Sequence, residues 1–241
     1  VNYTKSSNKP SGNTVFFVDE KFNINNIKKY ITPFEFSYIS DLLKSCDLKK
    51  NIFVFELNSK RQIILISIKK NIKSITIENL GAEFYGRINS DKKNQFFINS
   101  DTIVTKQENF IGHFLHGLRL KSYEFKKYKS KNNDKVTSIE VLGTKNIPSQ
   151  KDQLKFAALE KGTFFARDLV SEPGNILHPD EYAKRLNSLK KDGLKVTIYD
   201  KKKLKKLGMH ALLGVGMGSI RGSYLVTLEW NGAKNNSKPF A

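Results

Sequence analysis

The hydrophobic and polar positions of this chain change period several times, and each change predicts an element. "TVFFVDE" (14–20) opens with consecutive apolar residues and reads as a strand. "PFEFSYISDLLKS" (33–45) places Phe36, Ile39 and Leu43 at helical spacing. "NIFVFEL" (51–57) and "QIILISIK" (62–69) are β-branched and apolar, separated by "NSKR", and predict a hairpin. "SITIENLGAEFYGRI" (74–88) predicts a helix through Leu80, Phe84 and Ile88, and "NQFFIN" (94–99) a strand. A helix is expected over 105–125, with Phe110, Phe114, Leu118 and Phe125 on one face. "KKYKSKNNDK" (126–135) reads as loop, and "VTSIEVLG" (136–143) as a strand. Residues 1–13 read as a polar lead-in.

"TKNIPSQ" (144–150) has no periodicity and contains Pro148, so a domain boundary is expected there. The domains are then 1–150 and 151–241. The second opens with a helix over 151–170, whose apolar face would be Leu154, Ala158, Phe165 and Leu169. "SEPGN" (171–175) stops it, because Pro173 cannot continue the hydrogen-bond ladder and Gly174 tolerates positive φ. The next helix is read over "HPDEYAKRLNSLKK" (178–191). Pro179 suits a first helical position, and Asp180 and Glu181 complement the positive helix end. Asp192-Gly193 ends it. A strand (194–200), a short helix anchored by Leu204 and Leu207 and stopped by Gly208, the Gly-rich stretch 209–219 and a strand (223–230) follow. Alternating helices and strands indicate a layered α/β fold.

Composition changes this picture little. The 39% hydrophobic share supports a core, and no run of about 18 apolar residues suggests a transmembrane helix. The N-terminus lacks a signal-peptide pattern and an initiator Met, so a chain cut at its front is expected. A lone cysteine, Cys46, excludes a disulfide framework and fits a reducing cytoplasm. The net charge of +19 invites a nucleic-acid reading. However, 36 of the 42 basic residues are Lys, spread along the chain beside Asn, Ile, Phe and Tyr. Arg, which recognises phosphates and bases through its planar fork, is scarce. Codon bias and a solvated surface account for the charge more simply.

No motif completes an active site. "GVGMGS" (214–219) precedes a strand, whereas a phosphate cradle needs strand, Gly-rich turn and then helix. His113 and His116 form H-x-x-H, without the four-residue spacing or general-base Glu of a metalloprotease helix. They share a face and could ligate, but packing is the simpler reading. His178 reads as a helix-start residue and His210 as structural. Cys46 has no nearby His to activate it, and Ser219 and Ser223 lie in no nucleophile elbow. "KKKLKK" (201–206) reads as a solvated helix face.

"FFARDLVSEPGNILHPDEYAKRL", then "LKKLGMHALLGVGMGS", then "YLVTLEWNG", in that order, resemble the leucyl aminopeptidase (cytosol aminopeptidase) family. Pro173 and Asn175 match the turn after the family's linking helix, and "GLRLKSYEFKKYKSK" (117–131) is similar to its last helix before the linker. His210, Met217 and "SIRGSY" depart from the usual pattern, which bears on packing there. The resemblance covers about 105–241. It implies an N-terminal mixed-sheet α/β domain, then the opening of an α/β/α zinc-peptidase-like catalytic domain. The implied activity is a metal-dependent exopeptidase of peptides using two divalent ions, Mn or Zn, in a cytoplasmic homo-hexamer. The family's Lys- and Asp-bearing Gly-rich motif and its Asn-Thr-Asp-Ala-Glu-Gly-Arg segment do not occur in the sequence. No catalytic, cofactor-binding or metal-ligating residue is therefore assigned. The chain is expected to be an inactive fragment that binds no metal and leaves a sheet edge open at "KPFA" (238–241). The rival reading is a basic module that contacts nucleic acid or an acidic partner. A small-ligand site ranks last.

Overall fold

A computed structural model describes residues 1–5, 12–89, 94–130 and 137–232. The chain divides into two compact units, Val1–Phe164 and Phe165–Ala241. The first contains β1 (Asn2–Thr4), β2 (Asn13–Val18), α1 (Pro33–Ser45), β3 (Ile52–Asn58), β4 (Arg61–Ser67), α2 (Ser74–Asn89), β5 (Gln95–Asn99), α3 (Phe110–Lys121) and β6 (Ser138–Leu142). The division falls inside the next helix, α4 (Gln150–Ser171). The second unit continues with α5 (Pro179–Asn187), β7 (Lys195–Tyr199), α6 (Lys201–Lys206), α7 (His210–Val215) and β8 (Leu225–Glu229).

The first unit is a six-stranded mixed sheet in the order β1-β6-β5-β2-β4-β3, antiparallel only between β3 and β4. Central parallel strands are buried on both faces and so lose polar alternation. In β2, every residue is buried. Its Val15 and Phe17 join Ile64, Ile66, Phe96 and Ile98 in a core closed by Leu80 and Phe84 of α2 and Phe110 and Phe114 of α3. Phe16 and Val18 face the other way, with Ile63, Leu65, Ile39 of α1, and Ile27 and Tyr30. Phe17 makes edge contacts to Phe110 and Phe114, at centroid distances of 5.0 and 5.5 Å.

Two glycines set the α2–α3 crossing. A Cβ on Gly81 would collide with the Phe114 carbonyl oxygen, and one on Gly117 with the Glu78 carbonyl oxygen. Each helix therefore presses bare backbone into the other. On the opposite face, Thr32 and Glu35 form a reciprocal capping box at the start of α1. The Glu35 carboxylate also meets Arg61 at 2.7 Å in a largely buried pair.

Several expectations need correction. The third helix begins at Phe110, not 105, because Asn109 adopts a left-handed conformation (φ 56°) immediately before it. Part of the lead-in is a strand: Tyr3 pairs with Val141 in parallel register. On α4 the buried side chain is Phe156, while Leu154 and Ala158 are exposed and Phe165 and Leu169 half-buried. Leu204 anchors α6 as expected, but Leu207 is exposed. Gly193 and Gly208 take positive φ at their helix ends, whereas Gly174 does not. Residues 131–135 of the expected loop and the "KPFA" edge lie outside the described residues.

Candidate functional site

The junction after α4 is built from charge rather than apolar packing. The Ile176 and Leu177 amides both donate to the Pro173 carbonyl, forming a tight turn where the ladder must stop. The chain re-enters a helix at Pro179, with His178 as N-cap accepting from the Glu181 amide. Between the two helices sits Glu172, its side chain 1% exposed, 2.8 Å from an Arg185 terminal nitrogen. The Arg185 Nε donates to Glu181 at 3.1 Å. The Glu172 carboxylate, with Glu181 assisting, holds the Arg185 guanidinium above its ordinary pKa, and Arg185 in turn pulls Glu181 below the usual carboxylate range. Glu172 and Arg185 were not singled out by sequence; their partnership joins the end of one helix to a residue thirteen positions later.

A second cluster forms around Asp180. Its carboxylate lies 3.2 Å from His178 Nδ1 and 3.7 Å from Arg221. A hydrogen bond from the Tyr224 hydroxyl, then the charges of His178 and Arg221, lower its pKa. The same bond raises that of Tyr224. This cluster ties the segment after α7 to the start of α5.

The two histidines of H-x-x-H do not converge. His113 Nδ1 lies 2.8 Å from Glu78 of α2, and His116 Nδ1 lies 3.1 Å from Glu160 of α4. Phe156 packs between both rings at 5.1 Å, in space left open by Gly112. This is the packing arrangement, and it borders an open groove of about 1180 Å³ lined by Tyr3, Tyr85, Arg119 and Glu160. Among the described residues, no three His, Cys, Asp or Glu side chains gather where a metal ion could be held. The donor set of the described residues therefore does not fit a two-metal centre. His210 is exposed at the start of α7, and Cys46 is half-buried at the end of α1. "GVGMGS" ends α7 and leads toward β8, with Val215 and Met217 exposed. The lysines of α6 are exposed around buried Leu204. No helix among the described residues is long and apolar enough to cross a membrane.

Residues 164–241, which begin at the end of the first unit and run through the junction, match the cytosol aminopeptidase family, catalytic domain. A probable cytosol aminopeptidase of Nitrobacter winogradskyi is 33% identical over 189 residues, covering 75% of this chain and 37% of that protein. One from Afipia carboxidovorans is 42% identical over 130 residues, covering 52% and 26%. The chain belongs to the cytosol aminopeptidase family. It spans about a third of the length of these relatives. The fold agrees. A tomato leucine aminopeptidase mutant superposes with a TM-score of 0.73 at 18% identity, over 93% of this chain and 49% of that one. The bottromycin maturation enzyme BotP in complex with Mn gives 0.68 at 15%, over 91% and 45%. In this cytosol aminopeptidase family member, the family-matched segment holds the two charged clusters.

Proposed function

We propose that the chain forms the N-terminal domain, linking helix and opening catalytic segment of a metal-dependent leucyl aminopeptidase, which releases N-terminal residues from peptides. The observation that carries this reading is the match of 164–241 to the family's catalytic domain, placed directly after an α/β unit with its own core. In the proposed parent, two divalent ions, Mn or Zn, would supply Lewis-acid chemistry for peptide hydrolysis. In this reading the ions and the groups acting on peptide are held by the rest of the parent's catalytic domain. The parent is a cytoplasmic homo-hexamer. The charge ties at Glu172–Arg185 and Asp180–Tyr224 fix the chain path into the catalytic domain.

The test uses two proteins: residues 1–241 alone, and the same residues fused in frame to the remainder of the Nitrobacter winogradskyi relative. With Mn²⁺ or Zn²⁺, the fusion is expected to hydrolyse leucine amide and the chain alone is not. Turnover by the chain alone would overturn the claim that it lacks the machinery. A folded, metal-loaded fusion without turnover would overturn the peptidase reading.

A further inference from the structure

The open α/β sheet of the first unit has a place where ligands are expected. Such sheets bind ligands beyond the carboxyl ends of their strands, where the strand order reverses. Here β2 is followed outward by β4 on one side, and the chain then returns to β5 on the other. The reversal lies between β2 and β5. Side chains fill it: Asn26 donates to the carbonyls of Phe17 and Thr102, and the Thr102 hydroxyl accepts from the Phe17 amide.

One step along the same edge, at the ends of β5 and β6, the filling is of another kind. After β6 the chain passes through Gly143 (φ 142°) and Asn146 (φ 59°). The successive amides of Thr144 and Lys145 both point at one oxygen, Asp101 Oδ1, at 2.8 and 2.7 Å. Consecutive N–H groups converging on one point form a concavity that binds anions. The loop is held in this shape independently of the carboxylate. The Asn146 side chain donates to the Ser100 carbonyl, and the Ser100 hydroxyl lies within hydrogen-bond distance of the Leu142 and Lys145 carbonyls. A Cβ at Gly143 would strike Ser100 Oγ, so the close approach requires glycine. Thr144 and Lys145 are exposed and Asp101 is half-buried, so the nest opens to solvent.

We propose that Gly143–Asn146 is an oxyanion-binding nest at the carboxyl edge of the sheet, occupied from within by the Asp101 carboxylate, and that phosphate takes this place when the carboxylate is removed. A tethered ligand competes at a high effective concentration, so a free anion is displaced in the parent chain. In the parent chain the Asp101 carboxylate fills the nest, and the same contacts join the end of β5 to the end of β6.

The experiment is a phosphate titration of the full 241-residue chain, followed by the amide resonances of Thr144 and Lys145 at constant ionic strength. In Asp101→Ala those two amides should shift saturably with inorganic phosphate. In the parent, half-saturation of those shifts should need at least about tenfold more phosphate. If Asp101→Ala does not fold, Asp101→Asn keeps the geometry with a neutral acceptor and should show the same shifts at higher phosphate. Equal shifts in the parent, no shift in a folded variant, or shifts confined to the lysines of α6 would each overturn the proposal.

Discussion

The two units reach order by different means. The first has two apolar clusters, one on each face of its sheet, in which Phe16, Phe17, Phe84, Phe96, Phe110 and Phe114 are fully buried. Each such side chain contributes roughly 1.5–3 kcal/mol on burial. Among the described residues of the second unit, Ala183, Val196 and Leu204 are the apolar side chains that reach full burial. Its sheet is the two-stranded β7–β8 pair, and an isolated pair of strands is marginally stable in water. Val215, Met217 and Ile220 are more than four-fifths exposed. Charged pairs and caps do much of the fixing: Glu172 with Arg185, Asp180 with Tyr224, and Asp200 capping α6. Burial makes the first unit a closed fold. The second carries the family's chain path with its apolar surface still open.

The largest expected effect follows from the glycines that bring α2 and α3 together. Gly81→Ala or Gly117→Ala sets a methyl against a carbonyl of the facing helix, and backbone cannot turn aside as a side chain can. Overpacking of this kind costs typically 1–3 kcal/mol, and here about 3 kcal/mol or more is expected. Urea unfolding should show a lower midpoint with an unchanged slope. A loss below about 1 kcal/mol would mean that the helices separate easily, and the contrast between a locked first unit and an open second one would fail.

What the sequence revealed divides along similar lines. The hairpin read over 51–69 and the helix of Leu80, Phe84 and Ile88 were legible because their signals are local: two β-branched runs around a short turn, and one apolar stripe. The junction was legible for the same reason, since Pro179 and the acidic first turn act on their own helix. Features that depend on distant partners were not. Asn2–Thr4 is a strand because β6 lies beside it, with partners 138 positions away. Phe156 outranks Leu154 and Ala158 on α4 because Gly112 leaves a gap between His113 and His116. No helical period contains that information. Asp101 stands in no motif, and its two amide partners lie 43 and 44 residues away.

A smaller effect separates the units by pH. Asp180 is held below its ordinary pKa by the Tyr224 hydroxyl first, and Glu181 by Arg185. A carboxyl with a lowered folded pKa contributes stability that is fully present above its unfolded value and is lost as pH falls through the folded one. Acidification below about pH 4 should therefore loosen the second unit. Its reporter is built in, since Trp230 is the single tryptophan of the chain. Its emission should change with acid before the first unit's amides exchange faster. In Asp180→Asn part of this acid response should disappear. Simultaneous loss in both units would break the comparison.

The smallest effect concerns the turn that begins the junction. Gly174 has no heavy atom within 4 Å of where a Cβ would stand, and its φ is not positive. Alanine fits such a conformation, and it restricts the unfolded chain more than glycine does. Gly174→Ala should then stabilise by about 0.4–1 kcal/mol, read as a higher denaturation midpoint of the Trp230 signal. The result also bears on what covers this surface. If the substitution is neutral or stabilising in residues 1–241 but destabilising in the fused aminopeptidase, polypeptide from the rest of the catalytic domain packs against the turn. The same methyl would then separate a surface that is open in this chain from one that is filled in the enzyme.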